Sequence, residues 1–230
     1  MWSIAEVKKT GKIALKKNYW GCVLVSLILS ILTAGSAMSG TSSSLSQTAD
    51  ELEQMGLNSS EVLAVMAFIV SFALIFCIIW TALRIFLLNP LEIGCHSYLK
   101  ENIVGEVTLN KLGDGFVNYK RIVLTVFLRD LFLGLWFCLL FIPGVVKSYS
   151  YMMVPYILLD DPELKGTEAI TRSRQMMNGN KWRAFLMDLS FIGWGLLSLL
   201  TCGLVGLLYS TPYKLSAKAA LYHELKRNAG

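Results

Sequence analysis

The sequence predicts an all-α, polytopic helical membrane protein, with about six transmembrane helices arranged as three helical hairpins and amphipathic helices at the interface. Three observations carry that prediction. Only 16% of the 230 residues are charged and 54% are hydrophobic, with a mean hydropathy of +0.54, whereas soluble domains carry about 25% charged residues. Several apolar runs approach the ~18–20 residues that cross hydrocarbon. The Lys and Arg side chains gather beside those runs, where they set orientation and meet anionic lipid, so the net charge of +5 is no nucleic-acid footprint. One integral membrane domain over residues 1–230 follows.

Residues 1–19 read as a cytoplasmic amphipathic helix lying on the membrane. Ser3 and Glu6 have capping-box spacing. Ile4, Val7, Gly11, Ala14 and Leu15 share one face, and Lys8, Lys9, Lys12 and Lys16 line the other. That division turns Lys8, Lys12 and Lys16 toward lipid phosphates; a solvated basic leader is the plainer alternative. Trp20 to about Met38 is the first span. Its small residues Gly35 and Ala37 also suit signal-peptide cleavage after Ala37, but an uncleaved helix has a counterpart in the repeat described below. Residues 39–60 are rich in Ser and Thr, carry Asp50, Glu51 and Glu53, and lack Lys and Arg, which predicts an extracytoplasmic loop.

Val62 to Leu88 is long enough to span with tilt. Asn89-Pro90 interrupts it near the cytoplasmic face, and residues 91–100 read as a short interfacial helix. In the polar stretch 101–119, Leu109, Leu112, Phe116 and Val117 can dip into the interface. Arg121 to Ile142 is the third span, Pro143-Gly144 the outer turn, and 145–159 the return. Asp161-Pro162 offers an N-cap carboxylate and a proline at the first helical position, opening a cytoplasmic interfacial helix within 160–181. Its Ala169, Ile170, Ser173, Met176 and Met177 share a face. Arg172, Arg174 and Lys181 are read as headgroup contacts, with Glu168 four residues before Arg172, and Gly179 as the stop.

Ala184 to Leu208 is too long and glycine-interrupted for one span. A break at Thr201-Cys202-Gly203 gives a fifth helix (183–200) and a sixth (204–225), which passes Thr211-Pro212 into a basic tail over 214–230. Loop charge supports the break, because six spans keep every Lys/Arg-rich segment inside. Pro90, Pro143, Gly144, Pro155, Gly203 and Pro212 are thus the expected turns and kinks.

An internal repeat underlies the hairpins. Phe127-Leu128-Arg129-Asp130-Leu131 matches Phe185-Leu186-Met187-Asp188-Leu189, 58 residues on (127 to 185). In both copies a tryptophan follows the aspartate by six, Trp136 and Trp194, and the return carries Tyr-Ser and then Pro-Tyr, at 149–156 and 209–213. The first hairpin shares only the outline.

The segments K-S-Y-S-Y-M-M-V-P-Y-I-L-L-D-D-P from Lys147, E-A-I-T-R-S-R-Q-M-M-N-G-N-K-W from Glu168, the run Phe185–Trp194, and S-T-P-Y-K-L-S-A-K-A-A-L-Y-H-E-L from Ser210 resemble a family of bacterial integral membrane proteins. It is the one catalogued as domain of unknown function nine-seventy-five. The resemblance covers most of the chain, is strongest from Lys147 to Leu225, and is weakest in the acidic loop. It implies a polytopic membrane protein found mainly in Gram-positive bacteria, and it brings no activity and no catalytic residues.

Arg129, Asp130 and Asp188 are the polar groups deepest in the predicted spans. Asp130 lies nine residues past Arg121, roughly 13 Å along a helix, where a charge costs about 3 kcal/mol and requires a partner or a wet cavity. Adjacent Arg129 and Asp130 point about 100° apart, so pairing across hairpins, as of Arg129 with Asp188, is the economical structural explanation. A polar pathway or proton-coupled site is the functional one. The tyrosines suit interfacial belts, and Asp160, Asp161 and Glu163 suit a helix cap rather than a cation site. Cys22, Cys77, Cys95, Cys138 and Cys202 form no C-x-x-C pair and read as buried free thiols.

H-E-x-x-H, Walker, G-x-S-x-G and dinucleotide-glycine patterns are missing. The expectation is therefore a non-enzymatic protein of the bacterial plasma membrane, multi-pass with both termini cytoplasmic, without cofactor, metal or nucleic acid. Its expected partners are the lipid bilayer and anionic headgroups, with a membrane protein or a second copy besides. Envelope homeostasis, complex assembly and resistance to membrane-active peptides are the roles that fit. The alternative is a small transporter or permease subunit using Arg129, Asp130 and Asp188, in which helices broken at proline line a cavity.

Overall fold

The computed structural model describes residues 2–34, 58–164 and 166–229. The acidic loop up to residue 57 and the cleavage point after Ala37 lie outside them. Among the described residues every regular element is a helix, with no strand. They form two compact units, Ile31–Leu88 and the combination of Met1–Ser30 with Asn89–Gly230.

Among the described residues, three helical runs are long and apolar enough to cross a membrane: Ser60–Val104, Tyr119–Leu139 and Lys181–Leu200. A fourth is gained if α1 (Ile4–Lys17) and α2 (Tyr19–Ala34), bent by 106° at their junction, form one broken span. The two expected return spans are helical but fragmented. The first consists of α6 (Phe141–Tyr151) and α7 (Val154–Asp160), and eleven residues of helix reach only ~16 Å. The second passes through a π-helical stretch, Gly206–Ser210, into the polar helix α11 (Thr211–Ala229).

In the Ile31–Leu88 unit, α3 (Ser59–Leu83) starts where Glu61 accepts the Asn58 amide at 2.9 Å. Phe68, Phe72, Ile75, Ile78 and Ile79 point outward along it, a surface suited to hydrocarbon. It runs into a π-helical stretch, Arg84–Leu88.

The larger unit is built on α4 (Asn89–Val104), which the sequence reading placed at the interface. Ile93, Cys95 and Leu99 are fully enclosed. Glycines allow the 3₁₀ segment Leu109–Phe116 to lie directly on it: a Cβ at Gly94 would sit 1.9 Å from the Leu112 carbonyl, and one at Gly115 would sit 1.8 Å from that of Pro90.

The predicted apolar face of α1 is real, with Val7, Gly11, Ala14 and Leu15 buried. It covers protein rather than lipid. Gly11 approaches so near Ala217 of α11 that a Cβ would lie 2.7 Å from the Ala217 nitrogen. Ser3 takes the extended N-cap conformation, but its side chain makes no capping bond.

Pro90 and Pro212, second residues of α4 and α11, lie in continuous helix just after a π-helical stretch. Pro155, second in α7, and Pro143, third in α6, are helix entries, first-turn sites where no intrahelical N–H is needed. The turn expected at Pro143-Gly144 therefore falls earlier, at the extended residue Leu140, after α5 (Tyr119–Leu139). Both π-helical stretches end two residues before a proline, Pro90 or Pro212. The ring displaces the preceding turn and removes one donor.

The helix expected to open at Asp161-Pro162 begins instead at Gly166, as α8 (Gly166–Met176). The cause is Arg121, whose guanidinium donates to the carbonyls of Leu158, Asp161 and Leu164 and holds residues 161–164 as a turn beyond α7. Gly179 (φ 75°) and Gly203 (φ 87°) take the left-handed conformation that suits their expected roles as stop and turn. The helix expected as the fifth span corresponds to α9 (Lys181–Leu189) and α10 (Ile192–Leu200), which together make the candidate span Lys181–Leu200. Phe141 and Ile142 share a groove with Lys181 and Trp182. The expected outer turn and the start of the third candidate span, which the six-span reading puts at opposite faces of the membrane, are thus neighbours.

Of the cysteines, Cys22 and Cys95 are buried as expected; Cys77, Cys138 and Cys202 instead lie on the exposed surface of apolar segments.

Candidate functional site

The three deep polar residues fall into two separate clusters. Arg129 on α5 donates from Nη2 to Glu92 Oε1 of α4 at 3.2 Å and from Nε to Asp130 Oδ1 at 2.9 Å. The Arg129 side chain is 12% exposed, Glu92 15% and Asp130 37%. Neighbouring side chains that leave a helix in different directions still meet here, because the guanidinium reaches back along Asp130 with its inner nitrogen and forward to Glu92 with an outer one. Two carboxylates share one guanidinium, which relieves the cost of a deep charge.

Asp188 on α9 has different partners. Tyr149 of α6 donates its hydroxyl to Oδ2 at 3.2 Å, and the ammoniums of Lys214 and Lys218 on α11 lie 3.4 and 3.7 Å from the carboxylate. The expected pairing of Arg129 with Asp188 is thus replaced by Glu92 and Asp130 on one side and two lysines on the other. Helical spacing explains the second set, since Lys214 and Lys218, four apart, present both ammoniums to one point. This cluster has two cations to one carboxylate.

A third cluster was missed in the sequence. Asp160, the last residue of α7, accepts from Lys100 at 2.8 Å, Lys226 at 2.5 Å and the Tyr222 hydroxyl at 2.6 Å. Burial pushes its carboxyl up, but hydrogen bonds from Lys100, Lys226 and Tyr222 outweigh that and hold it down at about 2. Nothing in the local sequence distinguishes Asp160 from Asp161, which pairs outside with Arg172.

Aromatic side chains run between these charges. Tyr222 stacks on Tyr156 with centroids 5.1 Å apart, and the Tyr156 hydroxyl lies 3.2 Å from His96 Nδ1. His96 is within electrostatic reach of Glu92, Arg129 and Lys218. The repeat survives in part: Trp136 carries the Lys147 ammonium of its return segment 4.5 Å above its ring, and Trp194 packs on Tyr209 of its own at 4.8 Å.

The expected headgroup contacts divide. Lys8 turns inward, donating to Ser190 Oγ at 3.1 Å and lying 4.6 Å from the Phe191 ring centre. Lys12, Lys16 and Ile13, the last 59% exposed, stay open on α1, and Trp20, at the start of α2 beyond the bend, is 76% exposed. Arg172 pairs with Asp161, Arg174 is exposed, and Lys181 borders the groove already described. Among the described residues no three His, Cys, Asp or Glu side chains gather as metal ligands.

No curated protein and no solved structure matches the chain. The family match begins just before α5 and ends within α11, so the Arg129, Asp188 and Asp160 clusters lie inside it while Glu92 and Lys100 lie before it. Residues 117–229 match the family described as "Protein of unknown function (DUF975)", and over that stretch the chain belongs to it.

Proposed function

We propose that this is a multi-pass protein of the bacterial plasma membrane, with both termini cytoplasmic, that acts without catalysis by engaging anionic lipid headgroups. It does so alone or to hold a membrane partner or second copy, in envelope homeostasis, complex assembly or resistance to membrane-active peptides. The observation that carries this reading is the orientation of α1. Its apolar face is used up on α11, so Lys12, Lys16 and Ile13 are left facing outward, and Trp20 is exposed just past the bend into α2. Ammonium groups beside an isoleucine and an indole match the headgroup layer, where cations meet phosphate and indole rings settle. The cytoplasmic leaflet is the anionic one, which supports placing α1 there.

Pairing of Arg129 and Asp188 with close partners favours a structural role for these groups over a transport pathway, which would need them wet and free to titrate. The test is lipid composition. In membrane discs extracted with polymer, the protein should carry phosphatidylglycerol enriched over the bulk membrane. Lys12→Gln with Lys16→Gln should lower that enrichment several-fold. Equal enrichment in wild type and variant would count against the reading.

A further inference from the structure

We propose that the groove between α6 and α9 is a binding site for one anionic phospholipid, with an acyl chain in the groove and the phosphate held by Lys181, Arg174 and Lys147. The proposal rests on the lipid-engaging reading above and adds a discrete site on a different surface from α1.

The groove has a volume of about 430 Å³ and is lined by Phe141, Val145 and Tyr149 from α6 and by Lys181, Trp182 and Phe185 from α9. Its size suits a defined small-molecule site of ~300–1,000 Å³. Apart from Lys181 and the Tyr149 hydroxyl, the named side chains are apolar or aromatic. That hydroxyl is occupied at the inner end by Asp188, so the floor offers an alkyl chain no unmet polar group.

The mouth is cationic. Lys181 opens the third candidate span, placing its ammonium at headgroup level while Phe185, one turn on, lies at acyl depth. Arg174 and Lys181 lie within electrostatic reach of Lys147, whose ammonium rests over the Trp136 ring beside the groove. Among the described residues none of the three makes an ion pair with a carboxylate, although Arg129, Arg172, Lys100, Lys214, Lys218 and Lys226 all do. Unneutralised like charges gathered beside an apolar channel repel one another until an anion joins them. An anionic phospholipid supplies the anion and the chain in one molecule, which a free phosphate does not.

The full-length protein in mild detergent would be titrated with phosphatidylglycerol or phosphatidylcholine and observed intact by mass spectrometry. A one-to-one phosphatidylglycerol adduct is expected to survive at about tenfold lower lipid concentration than the phosphatidylcholine adduct, given the cations at the mouth. Lys181→Gln with Arg174→Gln should erase that preference and leave helix content unchanged. Val145→Trp, which fills the channel, should suppress both adducts, whereas Lys12→Gln with Lys16→Gln should alter neither. Inorganic phosphate at the same concentrations should not compete. Equal adducts for the two lipids, or a preference that survives loss of both cations, overturns the site. If the groove variants change nothing while the α1 variants still reduce lipid enrichment, the groove fails alone and the broader reading stands.

Discussion

The Tyr19 hydroxyl donates to the Leu208 carbonyl at 3.0 Å, an oxygen in the π-helical stretch to which an α-helical turn would bring the amide of residue 212. That residue is proline, so the bond comes from the first hydrophobic helix instead. A tyrosine 189 residues away thereby completes a hydrogen-bond ladder that Pro212 interrupts.

Tyr19→Phe should lower stability in detergent by about 1–2 kcal/mol, the cost of an unmet carbonyl plus one lost bond. In a Pro212→Ala background the residue-212 amide returns, and the same change should cost less. Thermal unfolding of the four proteins gives the coupling, and equal losses in both backgrounds would show that the tyrosine serves some other purpose.

Arg129→Met removes the cation that Glu92 and Asp130 share. A loss of about 3–5 kcal/mol is expected, the usual effect of breaking a buried ion pair by removing one partner. Adding Glu92→Gln should restore part of it, because the more enclosed carboxylate is then neutral. Asp130→Asn alone should cost less, as Asp130 is the most exposed of the three. The melting temperatures of these variants rank the three residues.

Asp160 predicts an acid transition. Its carboxyl is held at about 2, below the ordinary 3.8, so the unfolded chain takes up the proton first. The stability this group contributes is complete above pH ~4 and drains away as pH falls toward ~2. Asp160→Asn should flatten the stability profile across that window and lower the plateau above it. A profile unchanged by the substitution would place the acid sensitivity elsewhere.

Gly11→Leu should force α1 away from α11, since the new side chain would begin 2.7 Å from a backbone nitrogen. About 1–3 kcal/mol is expected from the overpacking. Gly193→Ala and Gly195→Ala meet no neighbour at all and serve as controls. Cross-linking between cysteines placed on α1 and α11 would report the separation directly.

These features differ in how legible they were in the sequence. The helical face of α1 could be read from spacing, because periodicity records which residues are covered. It does not record by what, and protein took the place expected for lipid. The prolines announced irregularities correctly but not their form: Pro143 and Pro155 open helices, because a first turn needs no proline N–H, while Pro90 and Pro212 follow π-helical stretches inside continuous helix. Asp130 and Asp188 looked equivalent within the repeat, yet one meets an arginine and the other two lysines four residues apart on a distant helix. The role of α4 was hidden by its neighbours. Pro90 and a mixed polar composition suggested the interface, while Gly94 and Gly115, the residues that let a second segment close over it, carry no apolar signal.

Contact between α1 and α11 has a consequence for biogenesis. Lys8 and Ser190, joined across α1 and the end of α9, are 182 residues apart, and Ala217 lies further along still. Helix α1 therefore cannot find its place until α9 and α11 have been made, and contacts so distant in sequence form slowly. During that wait Val7, Ala14 and Leu15 have only the membrane surface to rest on. The amphipathic pattern of α1 serves the bilayer while the chain grows and the protein once it is finished.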